Sequence, residues 1–115
     1  AHNLGFDPEH WLNRLDGRHV AEIHLAGYHP DPLLGDALWI DGHDAPVAGE
    51  VWNLYHALIS RIGLRPTLIE RDDQIPPYAE LQSEGDRARR LCQLTLDTTS
   101  CMQVSLRAQA EAAHG

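Results

Sequence analysis

The stretch Leu38-Trp39-Ile40-Asp41-Gly42-His43-Asp44 decides how this chain is read. A short apolar run ends in acids and a histidine, and Pro46 and a long amphipathic segment follow at once. Read as a strand, Leu38 to His43 carries Asp41 and His43 on one face, because residues two apart in an extended chain point the same way. Gly42 between them leaves that tip uncrowded. An acid beside an imidazole at the carboxyl end of a strand serves either as two ligands for one metal or as an acid–base pair. The triplet D-x-H alone is weak, since many chains carry one by chance. Its neighbours strengthen it. Ile23-His24-Leu25-Ala26-Gly27 closes the apolar run before it, and Leu68-Ile69-Glu70-Arg71-Asp72 closes the one after.

Those two runs, Val20 to Gly27 and Thr67 to Glu70, are predicted as further strands. Residues 28–37 between the first and second are too rich in Pro, Gly and Asp for a helix. A parallel crossover usually takes a dozen or more residues. About ten extended residues nevertheless reach roughly 33 Å, so a bare return between parallel strands stays open. Downstream, Asp44 or Ala45 is expected to cap a helix with Pro46 in its first turn. Val51, Leu54, Tyr55, Leu58, Ile59 and Ile62 fall three and four apart, an apolar stripe for packing on a sheet, and Gly63 ends it.

A further helix runs from about Tyr78 past Leu91, with Leu81, Ala88, Leu91 and Cys92 inward. Upstream, Asp7 caps a short helix that starts at Pro8 and reaches about Leu15, with Trp11, Leu12 and Leu15 as its buried stripe. Beyond Leu94 no motif is usable, although the part from Ser105 suits a helix. Residues 1–94 thus form one unit, and residues 95–115 an unassigned tail.

The order helix, strand, strand, helix, strand, helix, with continuous apolar runs in the strands, indicates an α/β fold with parallel strands covered by helices. Ligand-type residues at the carboxyl ends of such strands are where barrel and doubly wound folds keep their sites. Three strands cannot close a barrel, so one face and one edge stay open.

With 115 residues there is length for one small domain. Seventeen Asp and Glu against nine Lys and Arg, a net charge of −8, argue against nucleic-acid binding as the main business. Eight histidines favour metal or proton chemistry without locating it. Cys92 and Cys101 lack metal-type spacing and read as reduced thiols of a cytoplasmic protein. No apolar run approaches membrane-spanning length and no signal segment is visible. The abrupt start AHNLGFDP, without methionine, reads as a piece of something longer.

Three motifs carry a specific resemblance. EIHLAG at 22–27, WIDGHDAPV at 39–47 continuing into EVWNLY at 50–55, and PTLIERDDQIP at 66–76 with Leu81-x-x-Glu84 resemble the final strands of one TIM-barrel family. NLGFDPEHWL at 3–12 is similar to the segment before its sixth strand. The family is that of the multinuclear non-haem iron-dependent oxidative enzymes, long filed as a domain of unknown function, whose best-known type is the methanobactin-synthesis oxidase. The likeness runs from about Asn3 to Leu91 but covers only the closing part of a (β/α)8 barrel, about three strands with helices.

The resemblance implies His24 from a sixth strand, Asp41 and His43 from a seventh and Glu70 from an eighth as ligands of two or three iron ions. It implies oxidation of cysteine or nearby residues in ribosomally made peptides, with a partner protein that presents the peptide. The family's earlier ligands, on upstream strands, are absent here, so the chain looks incomplete as an enzyme and no catalytic residue is assigned.

Plainer readings stand beside these. His24 alone would suit a histidine bonded within a strand. Asp41 could cap a turn before Pro46, but Asp44 is the better cap. Glu70 and Arg71 could be a surface ion pair, yet an acid closing an apolar run usually has a buried partner or a metal. Mixed imidazole and carboxylate donors suit iron or manganese, and zinc stays open. Glu22 and Asp72 are read as groups that orient the histidines. His29 is kept as a loop histidine for which a site role stays open, while His2, His10, His19, His56 and His114 read as solvent or helix-face residues and Trp39 and Trp52 as core. Two other functions remain in view: a non-catalytic half-barrel acting by association, including with itself, and a divalent-metal isomerase or hydrolase on a related barrel.

Overall fold

The computed structural model describes the backbone of residues 1–112 and the side chains of residues 1–100. Helix α1, Pro8–Asn13, begins as its sequence requires, with Pro8 at the first position and the Asp7 carboxylate accepting the Glu9 amide at 2.9 Å. Its expected stripe is only partly right. Leu12 and Leu15 are half-buried, whereas Trp11 is 55 % exposed. The side of this short helix that meets the rest of the chain is set by Arg61, which donates to the carbonyls of Leu12 and Leu15 at 2.6 and 2.9 Å.

Strand β1, Ile23–Leu25, pairs in parallel with β4, Thr67–Ile69, in the register Ile23 to Thr67, His24 to Leu68 and Leu25 to Ile69. Amides of Ile23 and Glu70 extend the ladder, donating to Pro66 and Leu25 at 2.9 and 2.8 Å. The stretch expected as a middle parallel strand goes elsewhere. Residues Gly35–Ile40 form β3, which pairs antiparallel with β2, His29–Asp31, as a separate hairpin. The physical reason is the turn chemistry of residues 28–37. Asp31 Oδ1 accepts the amides of Leu33 and Leu34 at 2.8 and 2.9 Å, and Gly35 takes φ 54°. A chain folded back on itself so tightly has no length left for a crossover.

Helix α2, Gly49–Ile62, buries the expected stripe: Tyr55, Leu58 and Ile59 are buried, together with Trp52. Gly63 ends it with φ 81°. Its start differs from expectation. Ala48, without a side-chain cap, precedes the first turn, and Asp44, expected as the cap, is bonded to His29 instead. Val47 is buried and its amide donates to Glu84 Oε1 at 2.7 Å. Helix α3, Tyr78–Ala112, starts where predicted and continues through the stretch beyond Leu94 for which the sequence offered no motif.

The core joins Leu25 of β1, Val47, Trp52, Tyr55 and Ile59 around α2, and Ala88 of α3, with Ile23, Ile69, Leu91 and Cys92 packed against it. Ile23, Leu25 and Ile69 thus face the helices, and the alternation of a strand turns His24 and Leu68 the other way. Trp39 is not core. It is half-buried, stacked between the rings of His2 at 3.7 Å and Tyr28 at 4.5 Å. His2 is exposed, as expected, but its ring is engaged, with Nε2 2.6 Å from Asp36 O. Cys92 is a free thiol, 3.2 Å from the Tyr55 hydroxyl. The side chains of Cys101 and His114 lie outside the described residues. Among the described residues no helix is long and apolar enough to cross a membrane.

Candidate functional site

The parallel register places His24, the middle residue of β1, one residue short of alignment with the end of β4. Glu70 follows β4 directly, and its backbone amide is tied to Leu25 O at 2.8 Å. Its carboxylate therefore emerges beside His24, with Oε1 accepting from His24 Nδ1 at 2.8 Å. The other oxygen, Oε2, lies 3.5 Å from His43 Nδ1. One carboxylate spans two histidines that are 19 positions apart in sequence. His24 Nε2 lies 3.0 Å from Glu22 Oε1.

Asp41 and His43 reach this place differently from the extended arrangement the sequence suggested. Strand β3 stops at Ile40, and His43 takes φ 52°, the left-handed region. The two side chains still meet, His43 Nε2 lying 3.0 Å from Asp41 Oδ1. They meet because the chain turns, and not because it alternates. The turn is fixed to the segment after β4 by the Asp72 amide, which donates to His43 O at 2.9 Å. The Asp72 carboxylate, expected to orient a histidine, accepts from His43 Nδ1 at 3.0 Å.

Electrostatics follows from this count of partners. The carboxylates of Glu22, Asp41, Glu70 and Asp72 surround two imidazoles. The His24 pKa is raised above its ordinary value, first by the bond to Glu22 and then by that to Glu70. That of His43 is raised first by its bond to Asp72, with the charges of Asp41 and Glu70 adding to it. The cluster is short of positive charge and draws protons to its rings.

Among the described residues no group of three or more His, Cys, Asp or Glu side chains is arranged to hold a metal ion as it stands. Each ring nitrogen is spent on a carboxylate, so the donors do not converge on one point. The donor set itself fits an ion of iron, manganese or zinc: two imidazoles, up to four carboxylates and no thiolate, in surroundings that attract a cation. Cys92 is not among them, being held on α3 against Tyr55.

Two features differ from the reading of the sequence. Asp44, expected as a helix cap, accepts instead from His29 Nδ1 at 2.8 Å, and Gln74 Nε2 reaches its other oxygen at 3.5 Å. Arg71, weighed as a surface partner of Glu70, turns to the opposite side. Its side chain is 5 % exposed and pairs with Glu84 at 3.3 Å, leaving Glu70 to the histidines. Strand alternation past Ile69 was the available signal for this separation.

Comparison with known proteins agrees with this arrangement of motifs. The family described as RiPP precursor modification enzyme MbnB/TglH/ChrH matches residues 1–93. A UPF0276 protein of Caulobacter vibrioides is 58 % identical over 88 residues, 76 % of this chain and 31 % of that protein. A UPF0276 protein of Rhizorhabdus wittichii is 48 % identical over 89 residues, 77 % of this chain and 31 % of its own length. One of Vibrio vulnificus is 42 % identical over 106 residues, 92 % of this chain and 36 % of its own. The chain spans about a third of the length of these curated relatives. No solved structure matches. With 93 of its 115 residues matched in order, the chain belongs to the MbnB/TglH/ChrH family of RiPP precursor modification enzymes.

Proposed function

We propose that this chain is the C-terminal part of a TIM-barrel, iron-dependent oxidative enzyme that modifies cysteine or a neighbouring residue of a ribosomally made peptide. In this reading His24, Asp41, His43 and Glu70 hold the metal. The observation that carries it is the Glu70 carboxylate lying between the rings of His24 and His43, at 2.8 and 3.5 Å. A carboxylate in that place would hold a metal ion together with His24 and His43.

Bound iron would supply one-electron chemistry with oxygen. The contribution of this chain's own residues is positional and electrostatic. Excess carboxylate charge makes the cluster favour a cation, and the rings must release their protons to bind it. Glu22 and Asp72 then remain to orient His24 and His43. The open face of β1 and β4, with His24 and the 50 % exposed Leu68, supports a further part of a barrel on that side. Ligands and substrate walls on the upstream strands would complete the site, and a peptide-presenting partner would deliver the substrate.

The test is metal analysis of the full-length protein purified without oxygen, followed by oxygen uptake with a cysteine-containing peptide. His43→Ala and Asp41→Ala should each lower bound iron at least tenfold, while His56→Ala, on α2, should not. Equal iron in all three variants removes the ligand assignment.

A further inference from the structure

The left-handed turn at His43 needs a cause. A non-glycine residue with φ 52° is uncommon and persists only where its surroundings over-determine it. Three contacts converge there. Asp44, the next residue, is held by His29 at 2.8 Å on one oxygen and reached by Gln74 at 3.5 Å on the other. The His43 carbonyl accepts the Asp72 amide at 2.9 Å. The His29 ring also lies directly on Gly42, so that a Cβ there would fall 2.6 Å from His29 Cε1 and 2.8 Å from His29 Nδ1 and Asp44 Oδ1. His29 belongs to β2, where it is in register with Ile40, the last residue of β3. It therefore reaches back across the residues that separate Ile40 from Asp44.

We infer that His29 is a positioning residue: by packing on Gly42 and donating to Asp44 it holds the Asp41-Gly42-His43 turn in the conformation that presents His43 to Glu70 and Asp41 to His43. This rests on the ligand reading above and adds a residue to it. Neither the D-x-H pattern nor the expected cap at Asp44 contained this role. The contact is a bond between a half-buried ring and a carboxylate that is 18 % exposed, so loosening it frees the turn without opening the core.

The experiment uses the full-length protein with His29→Phe, which keeps a ring over Gly42 but loses the donor, and His29→Asn, whose amide can replace Nδ1. Cobalt(II) serves as the probe, read by affinity and by its visible spectrum. His29→Phe should bind about 10- to 100-fold more weakly with an altered spectrum, the range for removing a group that orients a ligand. His29→Asn should recover most of both. Gly42→Ala should be as damaging as His29→Phe, and His29→Ala with Gly42→Ala no worse than His29→Ala alone, because the two side chains compete for one space.

A second readout needs no metal. Hydrogen exchange at the Asp72 amide should speed up at least tenfold in His29→Phe, while the Glu70 amide, inside the β1–β4 ladder, stays protected. Unchanged cobalt affinity, spectrum and Asp72 exchange in His29→Phe would overturn the inference. If His43→Ala keeps its metal, the ligand reading falls separately, and the exchange result alone then decides whether His29 holds the turn.

Discussion

Gly27 and the carbonyl of Ala45 leave no room for a side chain between them: a Cβ on Gly27 would lie 2.0 Å from Ala45 O and 2.7 Å from Pro46 O. Both obstacles are backbone, which cannot turn aside as a side-chain tip can. The contact brings the residues after His43 down onto the end of β1, next to the buried Leu25 and Val47. Gly27→Ala is expected to destabilise the protein by about 3 kcal/mol or more, the upper range for overpacking. Gly49→Ala serves as the control, because a Cβ there meets nothing within 4 Å and alanine favours the helix. Urea unfolding of the two variants should separate them clearly, and equal midpoints would contradict the close approach.

The Glu84 carboxylate ties the same region to α3. It accepts the Val47 amide at 2.7 Å with one oxygen and pairs with Arg71 at 3.3 Å with the other. Removing one partner of a buried pair leaves the other charge uncompensated, which costs about 3–5 kcal/mol. Glu84→Leu is therefore expected to lose about that much, since Arg71 is almost wholly buried. Glu84→Gln keeps an acceptor for Val47 and should lose less. The order wild type, Gln, Leu in unfolding midpoints is the outcome to look for, and a Leu variant as stable as Gln would show that the charge on Arg71 finds water.

These contacts mark where the sequence could be read and where it could not. The α2 stripe from Val51 to Ile62, the stop at Gly63 and the start of α3 at Tyr78 follow from local spacing and turn chemistry, and they fold as read. The partner of residues 38–40 did not follow. Apolar text such as Leu38-Trp39-Ile40 is the same for a parallel barrel strand and for one arm of a hairpin. The Asp31 turn decides between them, and the Asn3 side chain helps by bonding both the amide and the carbonyl of Trp39 at 2.8 and 2.7 Å. Long-range pairings of that kind leave no periodicity. His24 and Glu70 were legible as site candidates because each closes or interrupts an apolar run. The dependence of His43 on His29 and Asp44 was not, because it lives in one φ angle.

A pH effect is expected away from the histidine cluster. The Tyr28 hydroxyl donates to the Glu50 carboxylate, which together with burial pushes its pKa from 10.0 up to about 12. The same bond lowers the pKa of Glu50. A raised phenol contributes stability that is fully present below pH 10 and is lost as pH rises toward 12. Burial and the bond to Cys92 also push Tyr55 to about 12. In an ultraviolet titration of tyrosinate, Glu50→Gln should move one ionisation from near 12 toward 10 and leave that of Tyr55 in place. No movement in Glu50→Gln would mean that Tyr28 is raised by burial alone.

The last expectation concerns the uncovered side of the β1–β4 pair. Among the described residues each of these strands is paired on one side only, and a two-stranded sheet is marginal by itself. The face away from the helices carries His24 and Leu68, the latter 50 % exposed, although it sits in the middle of a strand. Unpaired edges and exposed apolar strand faces recruit other chains. Residues 1–115 produced alone should therefore form dimers or larger species at tens of micromolar, and Leu68→Glu should shift them toward monomer by placing a charge on that face. Adding a separately produced upstream part of the full-length protein should compete with self-association for the same edges, and oxygen uptake should appear only in that mixture. Sedimentation distinguishes the cases. A sharp monomer of residues 1–115 with cooperative unfolding would mean that the β1–β4 face needs no cover, and oxygen uptake by that monomer would mean that His24, Asp41, His43 and Glu70 suffice without upstream ligands.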